Sequence, residues 1–355
     1  MEFGLVYPPY PEAWRDLAIA EDSGFTHAWF FDSQLLYSDV YVCMALAAEH
    51  TRRMKLGTAV AIPSNRIAPV TAHSIATINH LAPGRVTLGI GSGFTGRNTM
   101  GLPPLPIAAL REYVESTRRL LAGEEVPFRE GEHRGWMRFV HPDRGYINLK
   151  DRIPIYMAAS GPKMIELVGE IADGWITPAM DPGSLGAGRA ALERGARKAG
   201  REAGGIPTVT MVTACVLRPG ESAISPRVVR RVGPSIVLLL HALWERNRGL
   251  VGPLEAPFAE RIRRYREEYV ERMKTPADRR YLEIHEGHLI YLKPGEERFV
   301  DEELVRNFSC TGSADEVIAR IRAAEAMGVT QVGFQVSCDA REMIEELSRE
   351  VIARY

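Results

Sequence analysis

Ala18-Ile19-Ala20-Glu21-Asp22-Ser23-Gly24-Phe25, followed shortly by Ala28-Trp29-Phe30-Phe31-Asp32, reads as a helix, a glycine stop and an apolar strand. The same order returns in Glu170-Ile171-Ala172-Asp173-Gly174-Trp175-Ile176. It returns again in Ala324-Glu325-Ala326-Met327-Gly328-Val329 leading to Val332-Gly333-Phe334. A glycine just past a helix takes the left-handed conformation that ends it, and a β-rich run then follows. Short apolar strands alternating with helices call for a parallel sheet with helical crossovers.

Outward from these segments, strands are expected near residues 2–7, 27–32, 54–60, 85–91, 153–159, 174–178, 208–217 and 330–336. Helices fit near 11–23, 39–50, 68–81, 107–122, 162–172, 186–200, 314–327 and 339–354. Ser313 and Glu316 form a capping-box pair at the start of one of them. The alternation predicts an α/β fold, a (β/α)8 TIM barrel, over an open doubly wound sheet, with residues 1–355 forming one barrel domain. Two stretches break the rhythm. Residues 125–151 read as a partly ordered insertion. Residues 220–310, between the seventh and eighth strands, carry helices around Arg227–Trp244 and Phe258–Met273 and a strand-like Gly287–Leu292. Long loops on the C-terminal rim commonly form lids or substrate walls.

The chain has 355 residues, 45% hydrophobic and 25% charged, with a formal net charge of -1. That balance gives no reason to expect nucleic acid or a membrane surface as partner. Cys43, Cys215, Cys310 and Cys338 are dispersed, a pattern that suits reduced thiols in the cytoplasm better than disulfides or a zinc site. The first residues read as a strand rather than a signal segment, and no apolar run approaches a membrane span.

The barrel reading puts Asp32, Thr58, Gly91-Ser92-Gly93 and Ser160-Gly161-Pro162 after strands and before helices, on one rim. That rim is where such barrels keep their chemistry. Gly91-Ser92-Gly93-Phe94-Thr95-Gly96 matches the dinucleotide fingerprint GxGxxG. It follows the fourth strand, however, no helix is expected directly after it because of Pro103, Pro104 and Pro106, and no strand-terminal acid appears about twenty residues on. The glycines read instead as a tight turn that lets a ligand approach bare backbone, with Arg97 and Asn98 adding a charge and an amide. Ala159-Ser160-Gly161-Pro162-Lys163 runs from a strand straight into a helix whose free N–H groups suit a phosphate. Ser160 as an ordinary helix cap is the plainer alternative.

Taken together, Trp29–Asp32, Lys55–Val60, Gly84–Gly93, Ala159–Met164 and Thr311–Glu316 resemble the luciferase-like family of flavin- and deazaflavin-dependent oxidoreductases. Gly161–Gly174 is most similar to the coenzyme F420-dependent branch that includes methylenetetrahydromethanopterin reductase. The resemblance implies a hydride transfer between F420 and a small organic substrate, with the cofactor ring on the C-terminal rim. It implies a cis peptide between Ala59 and Val60 behind the ring, and Asp32 near ring and substrate. It places Gly93 and Asn98 along the cofactor chain, and Ser160 and Gly161 at its phosphate. Family members often carry a His after the aspartate matched here by Asp32; this chain has Ser33.

His285 and His288 are the candidate replacements in proton transfer, with structural histidines as the default reading. Their HxxH spacing alone is a weak metal signal, and no metal is expected. The alternatives are a monooxygenase using reduced FMN and oxygen, and a flavin-binding protein without turnover. Arg66 and Arg97 are candidates for the acidic tail of F420, Arg66 equally for a solvated loop. The family further implies a homodimer, to which Met44, Leu46 and Ala47 would offer an apolar face if they do not pack on the barrel.

Overall fold

The structure is a computed structural model that describes residues 1–245 and 259–355. Its chain order begins β1 (Glu2–Tyr7), α1 (Trp14–Asp22), β2 (His27–Phe30), α2 (Val40–His50), β3 (Lys55–Thr58), α3 (Ala68–Leu81), β4 (Val86–Ile90), α4 (Phe94–Asn98) and α5 (Ile107–Leu121). A hairpin of β5 (Val126–Glu130) and β6 (His133–Met137) follows, then β7 (Ile155–Ala158), α6 (Pro162–Ile171), β8 (Gly174–Thr177), α7 (Pro182–Lys198), β9 (Thr208–Val212) and β10 (Ala214–Val216). The remainder comprises α8 (Pro226–Glu245), α9 (Ala259–Glu268), α10 (Arg280–Ile284), α11 (Glu302–Phe308), β11 (Cys310–Gly312), α12 (Ala314–Ala326), β12 (Gln331–Gln335) and α13 (Ala340–Glu350).

Eight strands close into a barrel in the order β1-β12-β9-β8-β7-β4-β3-β2. Their pairings are parallel, as in Val6 with Trp29 and Trp29 with Gly57. This is the expected (β/α)8 arrangement. Its interior is filled by alternating bulk and absence of bulk. A Cβ on Gly57 would stand 2.5 Å from the Trp29 ring, and one on Gly174 would stand 2.6 Å from the Tyr156 ring. The Trp29 indole N–H, buried, donates to Gln331 Oε1 at 2.8 Å.

Residue contacts gather into two compact units: Met1–Arg97 with Pro104–Met211 and Ile321–Gly333, and Asn98–Pro103 with Val212–Arg320 and Phe334–Tyr355. The second has its own core. Val228, Val232, Ile236, Leu240 and Trp244 recur at helical spacing along α8 and pack with Tyr265, Ile284 and Phe299. Arg227 and Arg231 on the same helix pair with Glu346 of α13, Arg227 at 2.9 Å.

Several expectations change. Gly24 and Gly328 have φ of 93° and 88° and end α1 and α12 as expected. Gly174 is no helix stop: it is the first residue of β8, kept small by Tyr156. The strand-like Gly287–Leu292 is a run of turns, because Gly287 and Leu289 take positive φ of 75° and 61°. Ile290 N–H and Tyr291 N–H both donate back to the Gly287 carbonyl. A helix does start directly after Gly93; at five residues it ends before the prolines that were expected to block it. The seventh-strand region divides into β9 and β10, and β10 pairs with β11 outside the barrel. The α7 helix starts four residues early, with Asp181 accepting the Ser184 N–H at 2.8 Å as its cap. The expected insertion at 125–151 contains the β5–β6 hairpin. Phe258, expected to begin a helix, lies outside the described residues. The Ser313–Glu316 capping box forms in both directions, at 2.6 and 3.3 Å.

Candidate active site

Because the barrel strands are parallel, the residues after β2, β3, β4 and β7 emerge on one rim. All belong to the first unit. There Phe31, Ala59, Val60 and Ala158 pack on Val6, Trp29, Ile176 and Val209, which form the apolar floor. The Ala59–Val60 peptide is cis, at the bond expected. Ala61 then continues β3 as a single bridge to Ile90.

Gly91 and Gly93 are required by close approach. A Cβ on Gly91 would stand 2.4 Å from Val60 Cγ2. Gly93 has φ of 82°, and a Cβ there would stand 2.4 Å from Ile62 Cγ2. Ser92 between them accepts the Leu105 N–H on its carbonyl at 3.0 Å, so the turn is pinned on both sides. Arg97, half-buried on α4, packs its stem by Gly93.

Thr58 is fully buried, and its hydroxyl is used up between strands: it donates to the Gly89 carbonyl at 2.7 Å and accepts the Gly89 N–H at 3.0 Å. Its side chain therefore fixes the β3–β4 register. At β7, Gly161 is the N-cap of α6 with no side-chain cap, and Pro162 opens the first turn. Ser160 is thus not the cap. Ser160, Gly161 and Pro162 are exposed, next to buried Ala159. The first turn of this ten-residue helix is exposed there, at the positive end of its dipole.

Asp32 is buried and bound by residues outside the expected motifs. Arg66 Nη1 donates to both carboxylate oxygens, at 3.3 and 3.4 Å. Asn65 Nδ2 donates to the Asp32 carbonyl. Burial pushes the Asp32 carboxyl up, and Arg66 and its hydrogen bonds only partly offset this. Arg66 also pairs with Asp39 and stacks over Tyr41 at 4.7 Å, so it is no solvated loop residue. Ser33, in place of a family histidine, uses its carbonyl to accept the Leu36 and Tyr37 N–H groups. Around this rim Tyr7 Oη, Gln34 Oε1 and Asn65 Oδ1 are buried with no hydrogen bond. Buried polar atoms of this kind want a partner, and a polar ligand supplies one. Sequence reading missed Tyr7, Gln34 and Asn65, which carry no motif.

His285, His288 and Asn98 belong to the second unit. His285 Nε2 lies 2.9 Å from Glu245 Oε1, and Asn98 Nδ2 donates to Glu245 Oε2 at 2.7 Å. Burial pushes His241 and His288 well below the usual imidazole range, so both are neutral at neutral pH. Neither His241 nor Glu245 was expected; their i, i+4 spacing on α8 was the available signal.

The sequence matches the luciferase-like monooxygenase family over residues 5–331. The chain belongs to this family. It is 28% identical to 5,10-methylenetetrahydromethanopterin reductase of Archaeoglobus fulgidus, over 100% of this chain and 99% of that one. It is 29% identical to an F420-dependent glucose-6-phosphate dehydrogenase of Nakamurella multipartita, over 90% and 95% of the two chains. Among solved structures, the coenzyme F420-dependent tetrahydromethanopterin reductase of Methanopyrus kandleri superposes with a TM-score of 0.72 at 24% identity, over 100% and 99% of the chains.

Proposed function

We propose that this chain is an F420-dependent oxidoreductase that moves a hydride between the cofactor and a small organic substrate. The observation that carries this reading is end-to-end similarity to 5,10-methylenetetrahydromethanopterin reductase, with no large part of either chain left over. The rim fits such a cofactor. Gly91 and Gly93 let the turn after β4 close directly on Val60 and Ile62, and the α6 start has no side-chain cap, as suits a phosphate. Buried Tyr7 Oη, Gln34 Oε1 and Asn65 Oδ1 await polar partners.

Bound F420 supplies the carbon that accepts or gives the hydride. The protein positions and shields. Ala59 and Val60 would support the ring, and Gly91, Ser92, Gly93 and Arg97 would line its chain, whereas the Asn98 amide is taken by Glu245 of the second unit. Ala159, Ser160, Gly161 and Pro162 would hold the phosphate, and Thr58 fixes the strands that carry the support. Asp32 would lie near ring and substrate, where its carboxylate oxygens could hold a proton, and Arg66 fixes their direction. The apolar floor excludes water from that point.

The chain is further proposed to work as a homodimer in the cytoplasm. Met44 and Ala47 are fully buried against their own barrel, so they offer no face. Leu35, Val42, Ile67 and Val70, on or beside α2 and α3, are exposed instead. All four cysteines are free thiols, which suits a reducing compartment. Among the described residues no helix is long and apolar enough to cross a membrane.

The test is turnover of reduced F420 under strict exclusion of oxygen, with a panel of imines, carbonyls and activated alkenes. Oxidation of the cofactor with matching reduction of one acceptor supports the reading. Turnover that requires oxygen, or that proceeds only with reduced FMN, overturns it.

A further inference from the structure

The second unit holds a cluster that the rim chemistry does not use. His241, His285 and His288 each place a ring nitrogen within 4.8 Å of the other two. They are 3%, 1% and 5% exposed. His285 Nδ1 and His288 Nδ1 stand 3.3 Å apart. Two nitrogens bound to one tetrahedral zinc, each at about 2.0–2.1 Å, lie about 3.3 Å from each other. Neither ring nitrogen of His241 has a hydrogen bond.

We propose that His241, His285 and His288 bind a zinc-class divalent cation that ties α8 to the turns after α10. The surroundings match what such a site needs. Metal-bound histidines direct their second nitrogen to a carboxylate, which fixes the tautomer and frees the other nitrogen for the ion. Glu245 Oε1 takes that place at His285 Nε2, and Asn98 holds the other Glu245 oxygen. Glu296 Oε1 lies 3.5 Å from His241 Nε2 and makes no hydrogen bond of its own.

Charge points the same way. Glu245 and Glu296 are 0% and 2% exposed, and two buried carboxylates need compensation. Lys293 Nζ, 3.8 Å from Glu296 Oε1, is a partner for one, although it also donates to the Glu283 carbonyl. With Lys293 counted, a carboxylate is left over that a cation at the histidines would compensate. A shallow crevice lined by Pro234, Val237, His241, His288, Leu292 and Glu296 borders the cluster. The histidines come from α8 and from residues forty positions on, so a cation there would close this part of the fold.

The proposal is independent of the cofactor reading and is tested without it. The intact, untagged protein is dialysed against a chelator and titrated with Co2+, read by visible absorption. One equivalent should give the bands of a four-coordinate nitrogen site, displaced by Zn2+. His288→Gln should abolish them, whereas Glu245→Gln should keep them with ten- to a hundredfold weaker binding, about what loss of an orienting carboxylate costs. Absence of stoichiometric bands in the wild-type protein would overturn the proposal, whatever the variants do. Bands that survive in both His241→Gln and His288→Gln would overturn it too, since the ion would then be bound elsewhere.

Discussion

The Arg66 guanidinium lies 3.3 Å from the Asp32 carboxylate, and this contact sets the charge at the centre of the rim. Burial raises the Asp32 pKa and Arg66 opposes the rise without cancelling it. A carboxyl raised in the fold contributes stability below its unfolded pKa, and that stability is lost as pH rises through the folded pKa. Arg66→Ala should move the folded value further up. Denaturant midpoints from about pH 4 to about pH 8, a range starting near the ordinary Asp pKa of about 3.9, should therefore fall more steeply for the variant than for wild type. Parallel curves would show that Arg66 does not govern Asp32.

Gly91→Ala sets a methyl against Val60 at 2.4 Å, where one of the two must move. Overpacking of this kind costs about 1–3 kcal/mol. F420 affinity should fall by about tenfold or more if the same shift reaches the ring support, since about 1.4 kcal/mol corresponds to a factor of ten. Titration beside a thermal melt separates the two effects. A destabilised variant with unchanged affinity would remove Gly91 from the cofactor site.

Glu21 accepts N–H groups from Arg52, Arg53 and Met54, the last two at 2.6 Å. It clasps the turn between α2 and β3 from the end of α1. Glu21→Ala leaves the buried Met54 N–H unmet, at about 1–3 kcal/mol. Tm should drop by about 1–2 °C per kcal/mol, given the size of the chain. No shift would mean that water replaces the carboxylate.

In the second unit, the hydrogen bonds from Arg227 hold the Glu221 carboxyl down at about 2, from an ordinary 4.5. A lowered carboxylate contributes stability above its unfolded pKa, which is lost as pH falls through the folded value. The stability gap between wild type and Glu221→Gln should be constant at neutral pH and close between about pH 4.5 and about pH 2. Equal acid sensitivity of the two proteins would contradict this pairing.

The barrel was legible because each strand is a short apolar run with a clear punctuator, and Pro162 marks the start of α6. Local pattern could not reveal what depends on backbone angle or distance. Gly287–Leu292 carries the apolar residues of a strand, but positive φ at Gly287 and Leu289 folds it into turns. The prolines after Leu102 read as a block to any helix, yet Phe94–Asn98 is complete before them. His285 and His288 were visible as a spaced pair. Their partner His241 sits more than forty residues away inside an apolar helix, so only folding brings the third imidazole to them. Arg66 stood out as a basic residue without a motif; its place beside Asp32 required the α2 and α3 connections to form.

Paired titrations of the purified protein with F420 and with FMN, followed by fluorescence, decide whether the rim of this barrel binds F420. Saturable binding of F420, with FMN bound far more weakly or not at all, is the predicted result. Tight binding of FMN with none of F420 would contradict it.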